Sequence, residues 1–173
     1  MKEKLSSMNE AKSPPKLYAW FASAFLITLI GASQLLPRGH YPNLRIIGVI
    51  MLLISPVFIF TPFFLLSNRK DNEDGKTYME VRNIADNGLY AVVRHPQYSG
   101  YMMLAGGFAF LSQNPVILTL AIFSIICFYL QSLKEEQYCL DHFGKVYKDY
   151  LQRVPRFNII LGIFRVIRRK KSD

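Results

Sequence analysis

Two long segments without a charged residue dominate the first part of the chain. Residues 17–36 (LYAWFASAFLITLIGASQLL) cover 20 positions, and residues 46–66 (IIGVIMLLISPVFIFTPFFLL) cover 21. About 20 residues of helix cross a hydrocarbon core, so each segment is long enough to span a bilayer. A signal peptide is the alternative for the first segment, with small residues at 31–33, but its apolar stretch is longer than a usual h-region. The sequence therefore predicts two transmembrane helices within residues 17–66.

A second pair of apolar segments follows in the C-terminal half. Residues 98–112 would form about 22 Å of helix, whereas residues 115–133 are long enough to span. Between them, Gln113-Asn114-Pro115 is a turn signal, with a proline suited to begin the next helix. Small side chains give the first arm a smooth face for close packing: Gly100, Ala105, Gly106, Gly107 and Ala109. The pattern predicts a tight helical hairpin over 98–133, in an all-α, polytopic membrane helical bundle.

The distribution of basic residues predicts how this bundle is oriented. Lys and Arg number four in 1–16, five in 67–95 and ten in 134–173, against two in 37–45. With an even number of crossings, 19 of the 21 basic residues fall on one side of the membrane. The positive-inside rule then predicts a cytoplasmic polar N-terminus (1–16), a cytoplasmic 67–97 loop and a cytoplasmic C-terminus. A nucleic-acid partner would need a soluble basic face, so we expect none despite the net charge of +9.

The C-terminal tail, residues 156–173, combines apolar and basic side chains. Its apolar members are Phe157, Ile159, Ile160, Ile163, Phe164 and Ile167, and its basic members include Arg165, Arg168, Arg169, Lys170 and Lys171. Such a basic amphipathic segment is typical of contact with an anionic membrane surface.

Several kinds of site are not predicted. The three histidines show no metal-ligand spacing, and the chain has no CxxC motif, so we expect no metal. Cys127 and Cys139 would lie about 18 Å apart on one helix, too far for a disulfide. A Gly-rich dinucleotide fingerprint is also missing, so a nucleotide-like cofactor would have to bind by another design.

The segment GLYAVVRHPQYSG at 88–100 carries ionisable residues to the entrance of the hairpin. Pro96 is suited to the first position of a helix, and the free N–H groups of the next three residues would form an anion site beside Arg94 and His95. A carboxylate would suit this corner. The alternative is that Arg94 reaches lipid phosphate and His95 only caps the helix.

Two tyrosines bracket this segment. Tyr90 and Tyr98 offer aromatic faces that attract cations, but tyrosine is also common at membrane interfaces because it is amphipathic. Gly88 predicts a turn just before Tyr90.

A second polar cluster, EEQYCLDHFGKVYKDYLQRVP at 135–155, begins where the hairpin returns to water. A tight hairpin would bring Glu135 back beside His95, where a carboxylate could accept both hydroxyls of a ribose. Adjacent helical positions point about 100° apart, so we expect only one glutamate to face the pocket and Glu136 to face elsewhere. A solvated helix end is the alternative. Phe143-Gly144 predicts a helix break.

The two clusters together resemble the signature of the isoprenylcysteine carboxyl methyltransferase and phospholipid methyltransferase superfamily, which comprises small integral-membrane enzymes that use S-adenosyl-L-methionine. The resemblance covers roughly the C-terminal half of the chain and makes residues 67–155 the methyltransferase region, with its cofactor pocket at the cytoplasmic face. The matching positions are Gly88, Tyr90, Arg94-His95-Pro96, Tyr98, Gly100, Phe143-Gly144, Tyr147 and Arg153-Val154-Pro155.

The resemblance implies roles for individual residues. Those implied to bind S-adenosyl-L-methionine are Arg82, Asn83, Ile84, Ala85, Tyr90, His95, Pro96, Gln97, Tyr98 and Glu135, the first four placed by position more than by identity. Those implied to be catalytic are Arg94, His95 and Tyr98.

One departure bears on the substrate. Family members that act on isoprenylcysteine carry an arginine one helical turn before the glutamate, where it serves the substrate carboxylate, and this chain has Gln131 there. Gln131 and Arg153 are therefore assigned to substrate binding, and a prenylcysteine acceptor is disfavoured. A lipophilic acceptor, prenylated or not, is expected from the bilayer, with a carboxylate and an amine both open.

Two other functions remain as alternatives. Membrane reductases that use NADPH share a similar C-terminal architecture, although a 2′-phosphate would require further arginines. A non-catalytic small membrane protein, such as a transporter subunit, would predict more polar residues inside 17–66 than the Ser, Thr, Gln and Pro found there. We expect the membrane to be the plasma membrane of a prokaryote.

Overall fold

The computed structural model describes residues 16–70 and 88–170, with backbone alone at 66–70 and 170. Within these ranges the chain forms helices and no strand, which confirms the all-α prediction. The helices are α1 (Leu17–Leu35), α2 (Pro42–Lys70), α3 (Leu89–Val92), α4 (Pro96–Ser112), α5 (Pro115–Phe143), α6 (Lys145–Arg153) and α7 (Ile159–Lys170). The predicted cofactor residues Arg82, Asn83, Ile84 and Ala85 lie outside the described residues.

Three of the described helices are long and apolar enough to cross a membrane, judged by length and composition: α1, residues Pro42–Leu65 of α2, and α5. The structure thus confirms that the two N-terminal apolar segments and the second arm of the hairpin form long apolar helices. Helix α4 has 17 residues, or about 25 Å, and packs against both α2 and α5. Helix α1 completes the bundle by packing against α5.

Glycines allow α2 and α4 to approach closely. A Cβ at Gly48 would lie 2.8 Å from the carbonyl oxygen of Gly107, and a Cβ at Gly100 would lie 2.9 Å from the backbone nitrogen of Ile59. Any larger residue at these positions would force the two backbones apart. The glycines of the first hairpin arm therefore pack on α2, which fixes where α4 begins relative to the rest of the bundle. Ala105 and Ala109 lie instead in the core cluster with residues of α1 and α5, so the prediction that all five small residues form one face is wrong.

The turn of the hairpin is fixed at the opposite end from His95. Asn114 accepts a hydrogen bond from the N–H of Val116 (2.9 Å), and its amide donates to the carbonyl of Pro37 (3.1 Å). The side-chain amide of Gln113 both donates to and accepts from the backbone of Tyr41. The α1–α2 connection and the hairpin turn thus lie together at one end of the bundle, as an even number of crossings requires.

At the other end, the chain folds back after α5. Gly144 has a φ of 56°, a left-handed value that glycine adopts without strain, and it separates α5 from α6 as the sequence predicted. Tyr147, Tyr150 and Val154 are buried against the end of α5. The carbonyl of Pro155 then accepts a hydrogen bond from the N–H of Arg94 (3.0 Å), so the segment after α6 is held against the start of α4.

Candidate active site

The polar residues of both clusters meet where α4 begins and α5 approaches its end. His95 immediately precedes α4, and its ring lies between two carboxylates of α5. Its Nε2 is 3.2 Å from Oε1 of Glu136, and its Nδ1 is 3.8 Å from Oε2 of Glu135. The predicted return of Glu135 to the neighbourhood of His95 is therefore seen in the structure.

Glu136 lies at the centre of this cluster, and the expectation that it faces elsewhere is wrong. Its side chain is only 7% exposed. Arg156 donates two hydrogen bonds to it, from Nε to Oε1 (2.9 Å) and from Nη2 to Oε2 (2.5 Å), a bidentate pairing. Arg94 adds a third cationic contact, with Nε 3.3 Å from Oε1. A buried carboxylate requires such compensation.

Glu135 is the more accessible carboxylate, with 25% of its side chain exposed. Tyr98 donates its hydroxyl to Oε1 of Glu135 at 2.5 Å, and the amide of Gln131 donates to the same oxygen at 3.2 Å. Both donors are neutral, so the charge of Glu135 is less fully compensated by them than that of Glu136 is by its two arginines.

Both glutamates face the cluster because they meet different neighbours. Glu135 points to α4 through Tyr98, while Glu136 points to the segment that follows α6 through Arg156. The two side chains, about 100° apart around the helix, therefore reach different elements of the same polar cluster. His95 lies between the two carboxylates.

The two arginines differ in their surroundings. Burial lowers the pKa of Arg94, and the nearby Glu136 carboxylate partly offsets this effect. The Nε of Arg94 is buried and lies close to Glu136 without hydrogen-bond alignment, while its Nη1 donates to the carbonyl of Leu151 (3.3 Å). Hydrogen bonding to Glu136 raises the pKa of Arg156. Both guanidinium groups remain cationic at neutral pH.

Aromatic rings form the other side of the site. The ring of His95 stacks on Tyr98, with centroids 5.7 Å apart, and lies 5.9 Å from the ring of Phe157. The ring of Tyr98 also packs against the ring of Phe128, with centroids 5.5 Å apart. Arg156 lies over the ring of Tyr129 at 5.4 Å and donates to its hydroxyl. The site thus combines carboxylates with a cluster of packed aromatic rings.

The start of α4 offers fewer free N–H groups than the sequence predicted. The N–H of Ser99 donates to the carbonyl of His95 at 3.0 Å, so the expectation that it is free is wrong. The N–H groups of Gln97 and Tyr98 occupy the second and third helical positions, where the helix supplies no carbonyl partner. An anion site at this corner would rest on these two groups together with Arg94.

The two residues assigned to substrate binding occupy different places. Gln131 is fully buried, where its amide donates to Glu135 and its oxygen accepts from the N–H of Ala19 at 3.3 Å. It therefore links the first turn of α1 to Glu135. Arg153 is exposed at the end of α6, and its carbonyl accepts from Arg165.

Arg156 is the functional candidate that the sequence reasoning missed. It follows directly after the Arg153-Val154-Pro155 match. Pro155 is held against Arg94 by a backbone hydrogen bond, and the next residue, Arg156, reaches Glu136. An arginine immediately after this proline was the available signal. Its partner lies 20 residues earlier in the chain, which hid the pairing.

The remaining predicted residues flank the site. Tyr90 lies in α3, and its carbonyl accepts a hydrogen bond from the hydroxyl of Tyr150 (2.8 Å). Pro96 is buried as the first residue of α4, and Gln97 is exposed and donates to the hydroxyl of Tyr101. Among residues 16–70 and 88–170, no group of three or more His, Cys, Asp and Glu side chains is arranged to hold a metal ion.

Comparisons with known proteins support a family assignment. The family model described as phospholipid methyltransferase matches residues 44–146, more than half of the chain. The chain is 31% identical over 77 residues to protein-S-isoprenylcysteine O-methyltransferase B of Arabidopsis thaliana. The aligned region covers 44% of this chain and 39% of that protein. It is 26% identical over 122 residues to the protein-S-isoprenylcysteine O-methyltransferase of Xenopus laevis, covering 66% and 42% respectively.

The Schizosaccharomyces pombe protein of the same name is 36% identical over 75 residues, covering 42% of this chain and 31% of that protein. The chain spans about two fifths of the length of the first two relatives. No solved structure matches the chain significantly.

Proposed function

This chain belongs to the phospholipid methyltransferase family, and on that premise we propose that it is an integral-membrane methyltransferase that uses S-adenosyl-L-methionine. The methyl group would be transferred to a lipophilic acceptor at the end of the bundle where His95 meets α5. The observation that carries this proposal is the pair of adjacent carboxylates around His95. Glu136 is bound by arginines, and Glu135 is partly exposed.

The residues present fit this donor. Glu135 is partly exposed and has the chemistry to accept two ribose hydroxyls. The N-terminus of α4 and Arg94 provide a cationic corner for the methionyl carboxylate. Aromatic rings such as those of His95 and Tyr98 have the chemistry to contact adenine or a sulfonium cation. When bound, S-adenosyl-L-methionine supplies a methyl group activated on a positively charged sulfur.

The contribution of this chain is mainly positioning. Arg156 fixes Glu136, and Glu136 in turn holds His95 at 3.2 Å, so the imidazole presents a defined orientation to the site. Tyr98 and Gln131 orient Glu135 in the same way. Holding the methyl donor and the acceptor in line, away from bulk water, is a large source of rate enhancement for a group transfer.

The acceptor can be a carboxylate or an amine. A carboxylate is already ionised near pH 7 and needs no base, whereas an amine must lose a proton, and His95 or Tyr98 is proposed to assist that transfer. The relatives are named for an isoprenylcysteine acceptor, but Gln131 is neutral and offers no cation for such a carboxylate, so this acceptor is disfavoured here. The buried position of Gln131 and its bond to Glu135 give that residue a supporting role instead of an acceptor-binding one.

The orientation in the membrane is also part of this proposal. The site lies at the bundle end opposite the 37–41 connection. By sequence, 19 of the 21 basic residues fall in the segments that an even number of crossings assigns to one side of the membrane. This asymmetry supports a cytoplasmic site, with a prokaryotic plasma membrane as the proposed location.

Isothermal titration of the purified protein in detergent tests the cofactor. S-Adenosylhomocysteine should bind and NADPH should not. Glu135→Gln should weaken S-adenosylhomocysteine binding roughly 10- to 150-fold, the effect of losing a charged hydrogen-bond partner worth about 1.5–3 kcal/mol. Asp141→Asn is the matched control, because it removes a carboxylate from the exposed face of the same helix. Binding of NADPH alone would favour the reductase, and equal affinities for the two variants would place the donor elsewhere.

A further inference from the structure

Helix α7 directs its apolar side chains away from the rest of the protein. Ile160, Ile163, Phe164 and Ile167 lie on one face of the helix and are exposed, Ile160 to 83% and Phe164 to 62%. The four large apolar side chains occur within eight residues of sequence, and each is at least 47% exposed. A helix with such a face and a separate basic side is typical of the plane of a membrane interface.

The opposite face of α7 is fixed to the protein by close contacts. Gly162 is buried so tightly that a Cβ there would overlap the carbonyl oxygen of Val92. Arg169 donates to the carbonyl of Ala91 (3.3 Å), and Arg165 donates to the carbonyl of Gln152 (3.2 Å). These carbonyls lie near the C-terminal ends of α3 and α6, which favour cations. The rotation of α7 is therefore set, and its apolar face must point outward.

The position and charge of α7 identify what covers this face. Residues 159–170 contain three arginines and one lysine and no acidic residue. Helix α7 packs on α3, which leads directly into α4, so it lies at the bundle end where the membrane-crossing helices emerge. An anionic bilayer surface complements this charge, whereas a second copy of α7 would bring like charges together.

We propose that α7 is an interfacial helix that inserts its apolar face into the surface of an anionic bilayer. Because Gly162 and Arg169 attach α7 to α3, this docking also holds the segment that leads to Arg94 and His95. The proposal goes beyond the proposed function, since it concerns a lipid surface and does not depend on methyl transfer.

Spin labelling of the full chain in lipid vesicles tests the proposal. In a background with Cys127→Ala and Cys139→Ala, one nitroxide is attached at Ile163→Cys on α7 and, in a separate protein, at Lys148→Cys on the exposed side of α6. Both proteins are reconstituted in phosphatidylcholine containing phosphatidylglycerol. Size-exclusion chromatography and the thermal unfolding midpoint check that each variant is folded.

The label at 163 should be relaxed more by oxygen, which partitions into acyl chains, than by a water-soluble nickel chelate, and the label at 148 should show the reverse. Arg168→Gln should lower the ratio of docked to undocked label at 163 about fivefold, as expected for one basic residue at an anionic surface. Nickel relaxation at 163 equal to that at 148 would overturn the proposal. Spin–spin broadening at 163 would do so in favour of a second copy, and an unchanged ratio in Arg168→Gln would refute the anionic preference.

Discussion

Replacing Glu136 by glutamine should damage the stability of the protein far more than the same change at its neighbour Glu135. Glu136 is 7% exposed and compensates Arg94 and Arg156, whose side chains are 11% and 24% exposed. A glutamine keeps the shape but removes the charge, so two guanidinium groups and His95 are left facing one another. At Glu135, by contrast, the amide oxygen of glutamine can still accept from Tyr98.

The magnitudes follow from burial. Removing one partner of a buried ion pair typically costs about 3–5 kcal/mol, because the remaining charge is left uncompensated. For a chain of this size that corresponds to a fall of roughly 6–20 °C in the unfolding midpoint. Glu135→Gln alters hydrogen bonds of a partly exposed group and should cost about 0.5–1.5 kcal/mol. The exposed control Asp141→Asn should stay within about 0.5 kcal/mol of the parent protein.

Thermal unfolding in detergent, followed by tyrosine and tryptophan fluorescence, measures these differences. A double-mutant cycle with Arg156→Gln adds a sharper test, because the double variant removes both charges of the bidentate pair. It should be less destabilised than the sum of the single variants by about 0.5–3 kcal/mol. Equal midpoints for the Glu135 and Glu136 variants, or a coupling energy of zero, would show that Glu136 is not the buried ionic centre described here.

Three further predictions can be checked independently. His95→Ala should weaken S-adenosylhomocysteine binding roughly 10- to 150-fold in isothermal titration while the unfolding midpoint falls less than in Glu136→Gln; an unchanged affinity would exclude His95 from the donor site. Cysteines introduced at His40 and at Lys148 should react with an impermeant maleimide from opposite sides of sealed vesicles, since the two positions lie at opposite ends of the bundle; labelling from one side would refute an even number of crossings. The purified protein should methylate N-acetyl farnesylcysteine weakly or not at all, because Gln131 is neutral, buried and bonded to Ala19 and Glu135, so it offers no cation for that carboxylate; robust methylation in a radiolabel-transfer assay would contradict this.

Much of the fold was predictable because membrane helices have strong local signals. The uncharged runs predicted α1, the body of α2 and the first part of α5. Pro96 and Pro115 marked the first residues of α4 and α5, and Gly144 marked the break after α5. Helix α2 extends beyond its uncharged run at both ends, and it also accommodates Pro56 and Pro62 in its interior.

The site was predicted less completely, because its geometry depends on contacts between distant segments. The hairpin explains why Glu135 returns to Tyr98, and this could be inferred from the sequence. The burial of Glu136 could not, because it depends on Arg156, whose location is set by the fold-back at Gly144 and the turn at Pro155. A helical wheel gives the direction of each side chain of α5 but not its neighbour, which is Tyr98 of α4 for Glu135 and Arg156, after α6, for Glu136.

The order of these residues along the chain has a consequence for biogenesis. Glu136 lies in the last long apolar helix, but Arg156, its bidentate partner, is 20 residues further on. At a synthesis rate of about 5–20 residues per second, the ribosome adds those residues in roughly one to four seconds. Until Arg156 is added the cluster cannot be completed, because of the three cationic or histidine contacts of Glu136 only Arg94 and His95 have been synthesised. Closure of the site is thus a late step of assembly, and a chain interrupted before Arg156 would expose an incompletely neutralised Glu136 to the quality-control machinery of the membrane.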